Sequence, residues 1–293
     1  MMSGHVRVAL AGLLAGTTLT ACGTGAANAA PKVTAAFYPL QWLTEQVAGP
    51  DIKVTGLTAP GVEPHDIELS AQQVATLQDS SLTVYIKGLQ PAVDEAVGQQ
   101  QEDKSFDAAS AVKTLQATTP DEHAAYDPHL WLDPARLATV ATELGKRLGA
   151  ADPDHAQAYE QRAAETTKAL TTLDQEMAKG LSSCSSKTMV TSHEAFGYLA
   201  DRYHLKQVGI TLDPETEPSP ARIAEVAKLA MSERVTTIFT ESLVSPKVAE
   251  VLAKEVGART AVLDPLESKP AHGDYLSEMR QNLKTIRTAL GCS

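Results

Sequence analysis

The feature that most restricts the fold is a stretch from Pro153 to Leu181 with no internal proline and no glycine before Gly180. Its larger side chains, Tyr159, Ala163, Thr166, Leu170, Leu173, Met177 and Leu181, recur at steps of three and four residues, which lines them along one helix face. Asp152 ahead of Pro153 is a start signal, a capping side chain before a proline at the first helical position. A continuous helix of about 27 residues would be roughly 40 Å long, enough to run the height of two lobes and join them as a stiff spine. The competing arrangement is a helical hairpin broken near Thr171 and Thr172.

On both sides of this stretch short apolar runs alternate with helical patterns. Before it, 33–38, 52–57 and 82–88 read as strands, with helices at 41–48, 70–78, 91–99 and 134–148; after it, 187–193, 206–212, 235–241 and 259–265 repeat the pattern. Such alternation specifies α/β architecture. The expected organisation is therefore two β/α lobes, residues 32–150 and 183–293, each with a mostly parallel sheet flanked by helices, joined by one long rigid helix over 151–182. A chain of 293 residues, 43% of them hydrophobic, can fill the cores this requires.

Arg7 precedes an apolar run, Val8 to Leu19, that is too short to span a bilayer but suits the core of a signal peptide. The run ends in Leu19-Thr20-Ala21-Cys22, similar to the lipobox of bacterial lipoproteins. This implies a leader over 1–21, lipidation of Cys22 and a tether over 22–31, against an ordinary leader cut near Ala30. Two cysteines remain, Cys184 and Cys292, and an even pair in an exported chain reads as one disulfide, with a free buried pair as the alternative. The formal charge is −11, or −12 without Arg7, and no basic stripe is present, so nucleic acid is excluded as a partner class.

Of the eight histidines, three occupy special places. His65 lies in the loop "GVEPHDIELS" after the strand at 52–57, and His193 ends the strand "KTMVTSH". Asp264 ends "RTAVLD". His129 stands just ahead of Asp133-Pro134, which reads as the cap and first residue of a helix, so Asp133 is assigned to capping and Trp131 to packing. Open α/β sheets bind ligands outside the carboxyl ends of their strands, the edge to which these residues are carried. Three imidazoles and one carboxylate suit tetrahedral Zn²⁺, whereas Mn²⁺ would ask for more oxygen. Each of the four is more than sixty residues from the next, so spacing alone leaves structural roles open. Glu241, ending "VTTIFTE", is placed to orient a ligand histidine, or else to form a salt bridge. His155, His204 and His272 are assigned to the surface or to structural roles.

"EPHDIELS" with His65, "DPHLWLDP" with His129, "TSHEAFGYLADRY" with His193 and "LDPL" with Asp264 resemble, in order, four signature segments of the zinc- and manganese-binding lipoproteins that serve ABC importers, the cluster A-I solute-binding proteins. The resemblance covers essentially the whole chain after the leader. It implies two lobes joined by a rigid helix and a metal in the cleft, held by His65, His129, His193 and Asp264. Manganese members tend to carry glutamate where this chain has His193, so zinc is implied over manganese. Zinc members often carry a long His- and acid-rich loop before the segment matching "DPHLW"; here only Asp121, Glu122 and His123 remain, as an accessory metal loop or an ordinary solvated one.

The function expected is extracytoplasmic zinc capture by a monomer and delivery to an ABC permease with a separate ATPase. The chain would be anchored by its lipid at the outer face of the cytoplasmic membrane, with a metallochaperone as a further partner. A manganese-binding homologue or a lipid-anchored adhesion protein is the alternative. A zinc hydrolase is the rival enzyme class, because "HEAFG" begins like H-E-x-x-H. Position 197 is glycine, however, and His204 is about 16 Å further along a helix, so no enzyme is expected.

Overall fold

Short strands, the central two of them buried, set up the first lobe. β1 (Val33–Ala35), β2 (Val54–Gly56), β3 (Leu82–Tyr85) and β4 (Ser105–Asp107) form a parallel sheet of order β2-β1-β3-β4. The hydroxyl of Thr34, buried in β1, is hydrogen-bonded to Ser80 Oγ at 2.6 Å. The flanking helices are α1 (Tyr38–Ala48), α2 (Ala71–Gln78), α3 (Pro91–Val97) and α4 (Pro134–Ala151). α4 begins where its cap dictates, with an Asp133 carboxylate oxygen accepting from the backbone N–H of Ala135 at 2.8 Å and Arg136 at 3.3 Å. This computed structural model describes residues 1–2, 31–117 and 125–293; Cys22 and the Asp121, Glu122 and His123 loop lie outside the described residues.

The spine is α5 (Ala156–Leu181), one unbroken helix of 26 residues and thus about 39 Å long. All seven residues of the stripe are buried, joined by Asp174. Its start differs from the sequence expectation: Pro153–His155 form a 3₁₀ turn, and the Asp152 carboxylate accepts from Tyr159 Oη at 2.6 Å and pairs with His155 instead of capping backbone groups. Arg162 donates to the carbonyls of Val47 and Ala48 at the end of α1 and pairs with Asp51 at 2.7 Å. That satisfies carbonyls the helix leaves unpaired and places a cation where the helix dipole favours one.

The second lobe repeats the order of the first. β5 (Thr188–Thr191), β6 (Lys206–Gly209), β7 (Thr237–Thr240) and β8 (Arg259–Val262) pair in parallel as β6-β5-β7-β8, surrounded by α6 (Gly197–Tyr203), α7 (Pro220–Ser232), α8 (Lys247–Val256) and α9 (Tyr275–Leu290). β5 and β7, buried throughout, occupy the centre and β8 the exposed edge. In both sheets the order reverses beside the first strand, which opens a crevice at the carboxyl ends.

The spine fastens this lobe as it does the first. Asp174 accepts from Arg202 Nε and Nη2 at 2.9 and 2.7 Å and from Tyr203 Oη at 3.1 Å, and Glu176 pairs with Arg280 at 2.6 Å. The hydrogen bonds from Arg202 hold Asp174 below the usual carboxylate range against the opposing pull of burial. One apolar cluster runs from Val33 through α5 to Leu290, and a smaller one lies between the outer face of the second sheet and α7 and α8. The lobes therefore share a core, so opening the cleft as rigid halves would expose packed side chains. Among the described residues no helix is long and apolar enough to cross a membrane.

Cys184, just after α5, is bonded to Cys292, just after α9, across 108 residues of sequence. Replacing both by serine is expected to lower unfolding free energy by about 2–5 kcal/mol in urea titrations. A difference below about 1 kcal/mol would mean that the shared core, and not the covalent closure, holds the second lobe.

Candidate metal centre

Four loops at the carboxyl ends of the strands meet at one point. His65 comes from the segment between β2 and α2, and His129 from the turn leading into α4. His193 stands two residues beyond β5, and Glu267 lies in the segment between β8 and α9. The Nε2 atoms of His65, His129 and His193 lie 3.3, 3.7 and 3.8 Å from Glu267 Oε1. One ligand atom from each of the four falls within 4.8 Å of the others. His129, His193 and Glu267 are buried, and only His65 keeps partial access to solvent.

Two of the ring nitrogens, His129 Nε2 and His193 Nε2, are buried without a hydrogen-bond partner. Burying such atoms unpaired costs about 1–3 kcal/mol each, a cost that a cation bound to both would remove. Donors at 2.0–2.1 Å around a tetrahedral zinc stand about 3.4 Å apart, so the set closes by up to about 1.4 Å to hold an ion. The donor chemistry, three imidazoles and one carboxylate, fits that size and geometry.

The other face of two rings is occupied by carboxylates. Asp127 Oδ1 lies 2.9 Å from the backbone N–H of His129 and 2.7 Å from its Nδ1. Glu241 does the same for His193, at 3.1 and 2.6 Å. An Nδ1–H donated to a carboxylate fixes the tautomer that leaves Nε2 free to bind a cation. Glu63 holds only the backbone N–H of His65, at 2.9 Å. Trp131 anchors the His129 segment: its ring lies edge-on to Phe37 at 4.8 Å and its Nε1–H donates to Pro265 O at 2.7 Å.

These contacts divide the histidines electrostatically. Burial opposes charge on His193, but the hydrogen bond and charge of Glu241, with Glu267 and Glu63 beyond, lift it to about 9. Burial likewise opposes charge on His65, and Glu267 and Glu63 reverse it, leaving it raised. For His129 burial wins over Asp127, and it stays neutral more readily than a free imidazole. Burial, and then the charge of Glu267, push Glu63 up, whereas Glu267 itself, buried but hydrogen-bonded to His65, stays ionised well below the usual range.

The carboxylate that the structure brings to the three imidazoles is Glu267, where the sequence expectation was Asp264. Asp264 Oδ1 accepts from the backbone N–H of Leu266 at 2.7 Å and Oδ2 from Ser242 Oγ, so both its oxygens are engaged and neither belongs to the donor cluster. The short aspartate at the strand end folds back on its own turn, and the longer glutamate three residues later reaches the rings. Asp127 was the other residue overlooked. Its signal is a pattern present twice, acid-Pro-His in Glu63-Pro64-His65 and Asp127-Pro128-His129. The proline offers no N–H, and in both places the acid reaches past it to the histidine's own. His155 is half exposed beside Asp152, His204 ends α6 in the left-handed conformation, and His272 is exposed.

Removing the orienting carboxylates tests this geometry. Asp127→Asn and Glu241→Gln are each expected to weaken divalent-metal binding about 10- to 100-fold by competition with a chromophoric chelator, while circular dichroism stays unchanged. Parental affinity in both variants would contradict it.

Residues 33–289 match a family model described as "Zinc-uptake complex component A periplasmic". The chain is 35% identical over 276 residues to the zinc-binding lipoprotein AdcA of Streptococcus pneumoniae, covering 87% of this chain and 55% of that one. It is 33% identical over 279 residues to the high-affinity zinc uptake system protein ZnuA of Bacillus subtilis, covering 88% and 87%. The crystal structure of Zn(II)-bound AdcA superimposes with a TM-score of 0.77 at 36% identity, covering 89% of this chain and 57% of that chain. For the laminin-binding protein Lmb of Streptococcus agalactiae, titled a bifunctional protein with adhesin and metal-transporting activity, the values are 0.80, 34%, 89% and 99%. The chain thus spans about half the length of AdcA. With two like lobes on one long helix, four converging donors and a match over nearly all of the described residues, the chain belongs to the ZnuA family of zinc-uptake components.

Proposed function

We propose that this chain captures Zn²⁺ outside the cytoplasmic membrane, between its two lobes, and delivers it to the permease of an ABC importer whose ATPase is a separate protein. The observation that carries the reading is the pair of buried, unpartnered Nε2 atoms of His129 and His193 facing the ionised Glu267. His65, His129, His193 and Glu267 would supply the four ligands. Four protein donors complete a tetrahedron and leave no open position for an activated water, so binding without chemistry is the economical account. Three nitrogens to one oxygen favour zinc over manganese, and the names of AdcA and ZnuA agree with that preference.

Around this centre we place the remaining roles as parts of the same proposal. Residues 1–21 act as the leader and Cys22 as the lipidated anchor, 32–150 and 183–293 are the lobes and 151–182 the link. Asp121, Glu122 and His123 serve as an accessory cation loop, and a metallochaperone is a further partner of the monomeric receptor.

Zinc and protons compete for the same nitrogens. Against burial, Glu241, Glu267 and Glu63 favour a proton on His193 up to about pH 9, and zinc must displace that proton to take Nε2. Affinity is therefore expected to rise with pH until about 9 and to fall on acidification by about tenfold per unit for each proton displaced. Calorimetry between pH 6 and 8 in buffers of different ionisation enthalpy measures both the slope and the protons released. His129→Ala and His193→Ala should abolish tight binding. The absence of a tight zinc site in the parent, full affinity in both variants, or a pH-independent affinity would overturn the proposal.

A further inference from the structure

Glu267 is almost fully buried, yet no strand or helix holds it: it lies five residues beyond the end of β8 and eight before α9. The residue before it, Leu266, has φ of +59°. Two other non-glycine residues among those described have positive φ, His204 and Arg234, and both follow the last turn of a helix, where a left-handed residue commonly ends it. Leu266 has no such excuse. A side chain with a Cβ is held in that region only when its surroundings impose it.

The surroundings here are specific. Asp264 Oδ1 accepts from Leu266 N–H at 2.7 Å, and Ser242, two residues past β7, donates to Oδ2. Asn282, buried within α9, accepts from Asp264 N–H at 3.2 Å and donates from Nδ2 to Asp264 O at 2.6 Å. Pro265 O accepts from the indole of Trp131, and the Leu266 side chain is itself buried. A buried amide in mid-helix is unfavourable unless both its ends are satisfied, and both ends of Asn282 are used on this one residue. The turn 264–266 is thus gripped from β7, from α9 and from the segment of His129.

We propose that Asp264 and Asn282 are positioning residues, which hold Leu266 in its left-handed conformation so that the chain leaves the turn aimed to deliver Glu267 to the three imidazoles. They set metal affinity through Glu267 without touching the ion. This rests on the zinc-capture reading and adds to it that the strand-end aspartate acts through the turn and not as a ligand.

The test is calorimetric titration of the full chain with Zn²⁺ and the visible absorption of its Co²⁺ form. Asp264→Ala is expected to weaken zinc binding about 10- to 100-fold and to alter the Co²⁺ bands. Asp264→Asn, which keeps the acceptor for Leu266 N–H and loses the charge, should stay close to the parent. Asp264→Ala with Glu267→Gln should bind no more weakly than Glu267→Gln alone, because one acts through the other. If Asp264→Ala does not fold, Asn282→Ala reads the same grip from α9. Parental affinity in Asp264→Ala or, in its place, in Asn282→Ala, an Asn variant as damaged as Ala, or additive losses in the double variant would each overturn the inference while leaving zinc capture standing. A parent with no tight zinc site would sink both.

Discussion

A buried polar atom without a partner is a debt the fold must settle, and two such atoms, His129 Nε2 and His193 Nε2, stand in the cleft of this protein. They face Glu267, whose charge is itself cut off from water. Hydrogen bonding among the four side chains satisfies only His65 and Glu267. A divalent cation would satisfy all four at once, and the remaining architecture holds the donors together.

That task explains the shared core. Donors drawn from both lobes stay within ångströms of one another only if the lobes cannot swing freely. α5 provides this with Arg162 at the first lobe and Asp174 and Glu176 at the second. Trp131 adds a closer tie: it abuts Phe37 in the first lobe, donates to Pro265 in the second and accepts from Tyr275 of α9 through its carbonyl. With hinge opening restricted by this packing, the loops that carry the donors are the parts left able to move. His65 is the least constrained of the four donors: among the described residues no carboxylate pairs with its Nδ1, and its ring keeps some exposure.

Much of this was legible in the sequence because it depends on periodicity. The α5 stripe was readable to the residue, since a helix of that length has to bury one face, and the strand-end positions of His65 and His193 follow from alternation. β4 escaped because Ser105-Phe106-Asp107 is too short and too polar to register as a strand. The fourth donor of the cluster escaped for a different reason. A left-handed residue reverses the course of the chain, and nothing in "LDPLES" announces that Leu266 adopts one; the polar grip that imposes it comes from Ser242 and Asn282, distant in sequence. Local patterns report where an element ends, whereas the direction taken afterwards belongs to tertiary contacts.

The central claim is the identity of the donors, and a crystal structure of the zinc-loaded protein with anomalous data collected on both sides of the zinc edge tests it most directly. The account predicts one strong anomalous peak, about 2.0–2.2 Å from the Nε2 atoms of His65, His129 and His193 and from a Glu267 oxygen, with Asp264 still accepting from Leu266 N–H. A peak bonded to Asp264 in place of Glu267, or one lying outside the cleft, would contradict it.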